Sequence, residues 1–393
     1  MTTTIQAPER ISSSTGRHLL RLDPWLFLAA IGLVLCSYMA VRHAGPTGGA
    51  ALAHRQLVYA GIGLLAALIL TRFDYSILRE YRYVFYGIAV VLNLVVLETP
   101  SHNGATRWIQ LPMFQLQPSE FGKILLLITL SAFVVDLSRR ASERRVLTQT
   151  LLLAIIPAAV VMQQPDLGTA LVYLTMAFGV LFFAGINWRY LTGLLALSAA
   201  LCAVVLVVAP AVGVHVLQGF QKQRLTTFIQ GAGNCTTSNN VCYQLQQGQI
   251  AIASGGKTGS GFAGATQITN GYVPEASTDF IFAVVGETWG FVGAAAVIGL
   301  YALLIWRALR IVTLAKNLFG ALIAGGVVAM LMFQVFLNIG MTIGIMPVTG
   351  VPLPLMSYGG SSVIVTMMAI GLLQSVHVQA RTSTAGKARV LLG

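Results

Sequence analysis

The feature that most restricts this chain is that apolar runs of membrane-crossing length follow one another almost from end to end. About 20 apolar residues cross a hydrocarbon core of about 30 Å as a helix, and the stretch from Pro24 to Val41 is the first of that order. With 56% of residues hydrophobic, 9% charged and a mean hydropathy of +0.78, soluble globular folds are excluded. Residues 1–24 are polar and lack a cleavable-leader pattern, so the first run is expected to remain in place as a signal anchor. Apolar runs read against Gly, Pro and charge breaks give ten expected spans, at 25–42, 56–71, 83–98, 118–136, 148–163, 168–185, 190–211, 279–306, 318–342 and 361–378. The expected fold class is therefore an all-α polytopic membrane protein of about ten transmembrane helices.

An even number of spans places both ends on one side. Of the 24 Lys and Arg residues, seventeen fall on the connections that share a side with the termini, six on the other set, and Lys123 lies inside a span. Lys and Arg concentrate in cytoplasmic connections, so both termini are expected to be cytoplasmic. The chain then divides into an N-terminal tail over 1–24, a ten-helix domain over 25–378 and a C-terminal tail over 379–393. Segment 212–278, between spans seven and eight, becomes a large extracytoplasmic loop, too long to be idle. It is expected to hold amphipathic helices near 215–229 and 243–254 around a turn bounded by Cys235 and Cys242. Those cysteines are close enough in sequence to pair in an oxidising compartment, whereas Cys36 and Cys202 read as packing residues. The net charge of +12 serves orientation here and does not point to nucleic acid, and six scattered histidines offer no zinc spacing. No internal repeat of the kind common in transporters is evident.

Three of the twelve acids, Glu275, Asp279 and Glu287, fall within thirteen positions. Pro274 breaks any preceding helix, Ser277 or Thr278 can cap the next one, and Phe280 opens an apolar run. Asp279 is thus expected in the first turn of a membrane helix at its outer mouth. There it either complements the helix dipole or, as an ionisable group beside a span, serves function. Arg107 and Trp108 stand side by side between spans three and four, either as an interfacial belt or as a sugar and phosphate contact. Lys123 can pair with Glu120 at i+3 or snorkel outward. Gln164 and Asp166 sit in a short outer turn, Gln221 and Arg224 in a basic amide-rich patch, and Lys257 in a Gly-rich stretch that can approach phosphate through backbone N–H groups. Gly, Pro and hydroxyl residues crowd 338–362, including Ser357 and Tyr358, and non-helical backbone at that depth is tolerated only when buried in protein or lining a wet cavity, which argues for a cavity at the outer leaflet.

Several of these segments combine into one pattern: Gly-Ala-Thr-Arg107-Trp108, Gln117-Pro-Ser-Glu120, Gln164-Pro-Asp166-Leu-Gly-Thr169, Gln221-Lys-Gln-Arg224, Pro274-Glu-Ala-Ser-Thr-Asp279-Phe-Ile-Phe and Pro352-Leu-Pro-Leu-Met-Ser357-Tyr-Gly-Gly. Together they resemble the SEDS (FtsW/RodA/SpoVE) family of polytopic peptidoglycan polymerases, from about Asp23 to His377. The run Gly350-Val-Pro-Leu-Pro is closer to the family's elongation branch than to its division branch. The resemblance implies glycosyl transfer from lipid II at the outer face of the bacterial cytoplasmic membrane, with a class B penicillin-binding protein and the elongation machinery as partners. It marks Asp279 as the essential acid. Transfer from an α-linked pyrophosphate donor to a β-linked product needs one inverting displacement and one general base. Arg107, Lys123, Arg224 and Lys257 are candidates to stabilise the leaving pyrophosphate, with Trp108, Glu120, Gln164, Asp166, Gln221, Glu275, Ser357 and Tyr358 as further substrate contacts. No cofactor is evident, although a divalent cation (Mg or Mn) accompanying the pyrophosphate is compatible with Asp279, Glu120 or Asp166. Two positions depart from the pattern: Thr288 stands where many relatives carry a second glutamate, and Gln249 where some carry lysine. The alternative function is a flippase or transporter of a lipid-linked precursor, which would need charge along a path from the inner leaflet.

Overall fold

In the computed structural model the described residues are 22–45, 49–98, 107–110, 115–203, 224, 227–228 and 240–392. A helix overlies each of the ten expected spans: α1 (Pro24–Arg42), α2 (Gly49–Arg72), α3 (Arg82–Val95), α4 (Pro118–Ser138), α5 (Glu143–Gln163), α6 (Leu167–Phe183), α7 (Trp188–Ala203), α11 (Ile281–Leu314), α12 (Leu318–Ile343) and α13 (Gly360–Leu392). Seven of these helices are long and apolar enough to cross a membrane, while α3, α6 and α7 are shorter.

The bundle sorts its helices by how much of their surface meets other protein. The apolar stretch of α13 is 89% buried and those of α4 and α12 are 67% buried, against 28% for α2 and α11. Three helices therefore form the centre, and the others wrap them with one apolar face turned outward, as a lipid solvent permits. Small residues set the tightest approaches, as they do where membrane helices pack without a hydrophobic drive. A Cβ on Gly371 of α13 would come within 2.6 Å of the Ala67 Cα on α2, and one on Gly63 within 2.9 Å of Met367 Cβ.

The connection between α7 and α11 carries its own structure. A helix α8 (Asn240–Gly255) accounts for the expected 243–254 helix, followed by two single turns, α9 (Gly261–Gly264) and α10 (Thr266–Thr269). The other expected helix, 215–229, lies mostly outside the described residues, as do Gln221 and Cys235; Cys242 is disulfide-bonded. The described residues are mostly helical, as expected, and carry one small antiparallel hairpin, β1 (Ile109–Gln110) against β2 (Gln115–Leu116), directly ahead of α4. Ser361 at the start of α13 holds it, accepting from Gln117 N at 2.9 Å and donating to Gln115 O at 3.1 Å.

Helix α11 is interrupted at Gly290, whose φ of 65° and ψ of −159° are non-helical. The loop after α8 enters that break. Ser260 N donates to Glu287 O, Phe291 N to Gly256 O and Val292 N to Lys257 O, at 2.9, 2.9 and 3.1 Å. A Cβ on Gly290 would lie 2.9 Å from the Lys257 carbonyl carbon, so only glycine suits both the dihedral and the approach.

Candidate functional site

The polar centre of the molecule forms where four segments distant in sequence meet: the turn ahead of α11, the turn ahead of α6, residues 349–358 ahead of α13, and Arg224. Asp279 lies in the turn that precedes α11, and this corrects the expected first-turn placement. The helix starts at Ile281 with Phe280 at the N-cap position and no side-chain cap, so neither Ser277 nor Thr278 caps it. Their carbonyls serve as anchors instead. Tyr358 N donates to Ser277 O at 2.8 Å, Ser357 Oγ donates to Thr278 O at 2.5 Å, and Asn338 Nδ2 donates to Asp279 O at 3.0 Å. Every one of these bonds grips backbone. The turn is rigid while the Asp279 carboxylate accepts no hydrogen bond from the described residues.

Arg224 faces that carboxylate across Gly350. A Cβ on Gly350 would lie 3.3 Å from Asp279 Oδ2 and 3.5 Å from both Arg224 terminal nitrogens. Gly350 also has a φ of +75°, so the chain turns there and leaves the crevice between acid and base open. Burial raises the Asp279 carboxyl to about 6, Glu275 adds to the rise, and Arg224 and Arg107 oppose it. Burial likewise lowers the Arg224 guanidinium from its usual value, with Asp279 working against the drop.

Arg107 and Asp166 complete the ring of charge. Arg107 Nε donates to Gln164 O at 2.9 Å and its Nη2 to Pro165 O, so the guanidinium is fixed to the turn that opens α6. Asp166 caps α6, accepting from Thr169 N at 3.1 Å and Thr169 Oγ1 at 2.9 Å, with Gln117 Nε2 at 3.3 Å. Gln164 is fully buried and donates to Asn93 O at 2.7 Å. Trp108 is partly buried beside Arg107.

Other expected site residues are placed differently. Glu120 and Lys123 are both 1% exposed and pair with each other at 2.5 Å, inside the bundle rather than on the crevice. Lys257 is exposed on the loop that enters the α11 break. Glu275 is exposed and accepts from Thr278 Oγ1 at 2.8 Å. Glu287 is buried and receives Gln267 N and Ile268 N at 2.8 and 3.1 Å, which makes it a cap for α10. Of the two departures Thr288 is buried, its Oγ1 donating to Val284 O at 2.6 Å, whereas the partly exposed Gln249 donates from Nε2 to Ile343 O at 3.2 Å. Asn338 and Gly350 were not among the expected site residues. Their only signal was membership of the polar, glycine-rich run over 338–362.

The fold and the crevice define a multi-pass membrane protein with a charged pocket at one end of its helix bundle. Residues 19–382 match the model of the FtsW/RodA/SpoVE family, described as cell cycle proteins, and the chain belongs to that family. Peptidoglycan glycosyltransferase MrdB of Escherichia coli (strain K12) is 34% identical over 361 residues, covering 91% of this chain and 93% of that protein. Peptidoglycan glycosyltransferase RodA of Treponema pallidum (strain Nichols) is 30% identical, covering 83% and 89%. Among solved structures, a chain from a peptidoglycan synthase complex that coordinates polymerization and crosslinking matches with a TM-score of 0.76 at 33% identity, covering 91% and 98%.

Proposed function

We propose that this chain is a peptidoglycan glycosyltransferase that polymerises lipid II during cell elongation, with Asp279 as the general base. It works in the bacterial cytoplasmic membrane with both termini cytoplasmic, residues 25–378 as one transmembrane unit and 212–278 outside. The observation that carries this reading is a carboxylate that accepts no hydrogen bond from the described residues, held on a turn whose backbone is bonded on three sides, beside a half-buried arginine and raised to about 6. Such a group stays mostly ionised at pH 7 yet is basic enough to take a proton in the transition state.

In the proposed step, an acceptor sugar hydroxyl attacks the anomeric carbon of the donor. The carbon–oxygen bond to pyrophosphate breaks on the opposite face, undecaprenyl pyrophosphate leaves, and Asp279 receives the hydroxyl proton. Arg224 and Arg107 lie where added negative charge on the pyrophosphate would be stabilised, and no strong acid is needed for so good a leaving group. Among the described residues no group of three His, Cys, Asp or Glu side chains could hold a metal ion. A divalent cation accompanying the substrate would therefore draw most of its ligands from phosphate oxygens.

A class B penicillin-binding protein is the proposed partner, in keeping with the synthase complex that the fold resembles. The test is polymerisation by the purified chain with that partner and lipid II. Wild type is expected to yield glycan strands in the presence of moenomycin, and Asp279→Asn none, although its complex still assembles. Strands made at the normal rate by Asp279→Asn would refute the base assignment.

A further inference from the structure

A second polar cavity, of about 710 Å³, lies at the opposite end of the bundle from Asp279. Helix α4 relates the two ends: Glu120 is in its first turn, and Asp136, a lining residue of the cavity, lies sixteen residues on, about 24 Å along the axis. The charge-bearing part of the wall holds Arg79, Arg82, Arg139 and Arg140 against two acids, Glu80 and Asp136. Asp136 is shared by Arg79 and by Arg82, the latter at 3.1 Å, and Arg139 and Arg140 are exposed. The cavity thus keeps a net positive charge after its internal pairing.

Three further observations point to an anionic ligand. Arg82 Nε is buried and has no hydrogen-bond partner, a cost that a ligand oxygen would remove. The N-terminal ends of α3 and α12 both open on the cavity, at Arg82 and Leu318, and helix N-termini favour negative charge. The Arg82 guanidinium also lies over the Tyr83 ring, 4.8 Å from its centroid, which fixes its plane.

We infer that this cavity binds the phosphate group of an anionic phospholipid. Phosphate is the matching chemistry for a fork of arginines. The lipid is its source because, Ser76 and Asn317 apart, the uncharged part of the wall is mostly apolar and belongs to membrane helices, with Phe133 on α4 and Leu318 and Phe319 on α12. Tyr83, 64% exposed, sits at the edge facing away from the bundle. The volume suits a headgroup and glycerol with the acyl chains leaving along that apolar wall.

The experiment measures binding of dioctanoylphosphatidylglycerol to the full chain in detergent by native mass spectrometry and thermal shift. Arg139→Gln/Arg140→Gln removes two exposed charges and leaves the Asp136 pairs intact. Affinity in that variant is expected to fall roughly 30-fold, from the usual contribution of each basic residue to anionic lipid binding, whereas Arg310→Gln, an exposed arginine elsewhere, leaves it unchanged. Dioctanoylphosphatidylcholine is expected to bind more weakly, and glycerol 3-phosphate at equal concentration is expected not to displace the lipid. Wild-type affinity in the double variant, an equal loss in Arg310→Gln, or equally tight binding of phosphatidylcholine would overturn the site. Displacement by glycerol 3-phosphate would overturn the lipid as its source.

Discussion

Asp23 and Asp279 each stand just ahead of a membrane helix, and the chain treats them in opposite ways. Asp23 is 1% exposed and caps α1, accepting from Trp25 N and Leu26 N at 3.1 and 3.3 Å. Its carboxylate also receives Arg307 Nε at 2.9 Å, and its backbone exchanges two bonds with the Gln374 side chain. One residue thereby joins α1, α11 and α13. Asp279 has its backbone bound by Asn338 and its neighbours bound by Ser357 and Tyr358, yet its carboxylate accepts nothing from the described residues. A saturated carboxylate has no lone pair to spare for chemistry. A rigidly held, unsaturated one does, and the cost of desolvating it is what raises its proton affinity.

The contrast breaks most sharply under single substitutions. Asp279→Asn is expected to lower polymerisation by at least about 100-fold, the lower end of what a general base contributes, without lowering the melting temperature. Asp23→Ala is expected to do the reverse. It removes a helix cap and leaves the partly buried Arg307 without its partner, a loss of roughly 3 kcal/mol, read as a lower melting temperature. If Asp279→Asn melted far below wild type, the carboxylate would be a structural group and the contrast would fail.

Glu120 and Lys123 sharpen the same distinction, because the family resemblance offered them as substrate contacts, whereas the structure shows the i+3 pair that their spacing also allowed, within the bundle. Glu120→Gln alone is expected to destabilise the protein by roughly 3 kcal/mol through the unpaired buried ammonium. Glu120→Gln/Lys123→Met is expected to recover most of that stability. A double variant that remained as unstable as the single one would show that the pair acts through something other than mutual neutralisation.

How far the sequence could be read depended on the range of the interactions. Each of the ten apolar runs carries its own signal, and each received a helix. Asp279 was legible because an acid stands out in an apolar neighbourhood. Its placement in a first turn was wrong because local capping preference lost to bonds from Ser357 and Tyr358, about eighty residues away. Asn338 and Gly350 were invisible for the same reason: an asparagine that grips a distant carbonyl and a glycine that keeps a crevice open look locally like any others. Asp23 looked like an ordinary residue before a helix, since its partners Arg307 and Gln374 lie 284 and 351 positions on.

Gly350→Ala tests whether the crevice needs its empty space. The added methyl would enter the gap between Asp279 Oδ2 and the Arg224 nitrogens at 3.3 and 3.5 Å, at a backbone φ of +75°. A displacement of about 1 Å at a reacting group can cost about 100-fold, so a fall of roughly 10-fold or more in turnover is expected, with a smaller change in melting temperature. Unchanged turnover would mean that substrate does not pass between the two groups.

The smallest effect is the dependence on pH. A carboxyl raised to about 6 must be ionised to act as a base, so the activity of wild type is expected to fall on acidification with a limb near pH 6. Its stability should move the other way. The folded state holds the proton more tightly than the unfolded chain, so the burden of burying charge is absent below the unfolded carboxyl range and grows as pH rises through 6. Asp279→Asn is therefore expected to melt somewhat above wild type at pH 8, with the gap closing toward pH 4. A gap that stayed constant across that range would place the acidic limb on another group, and Asp279 would then have to be as well satisfied as Asp23.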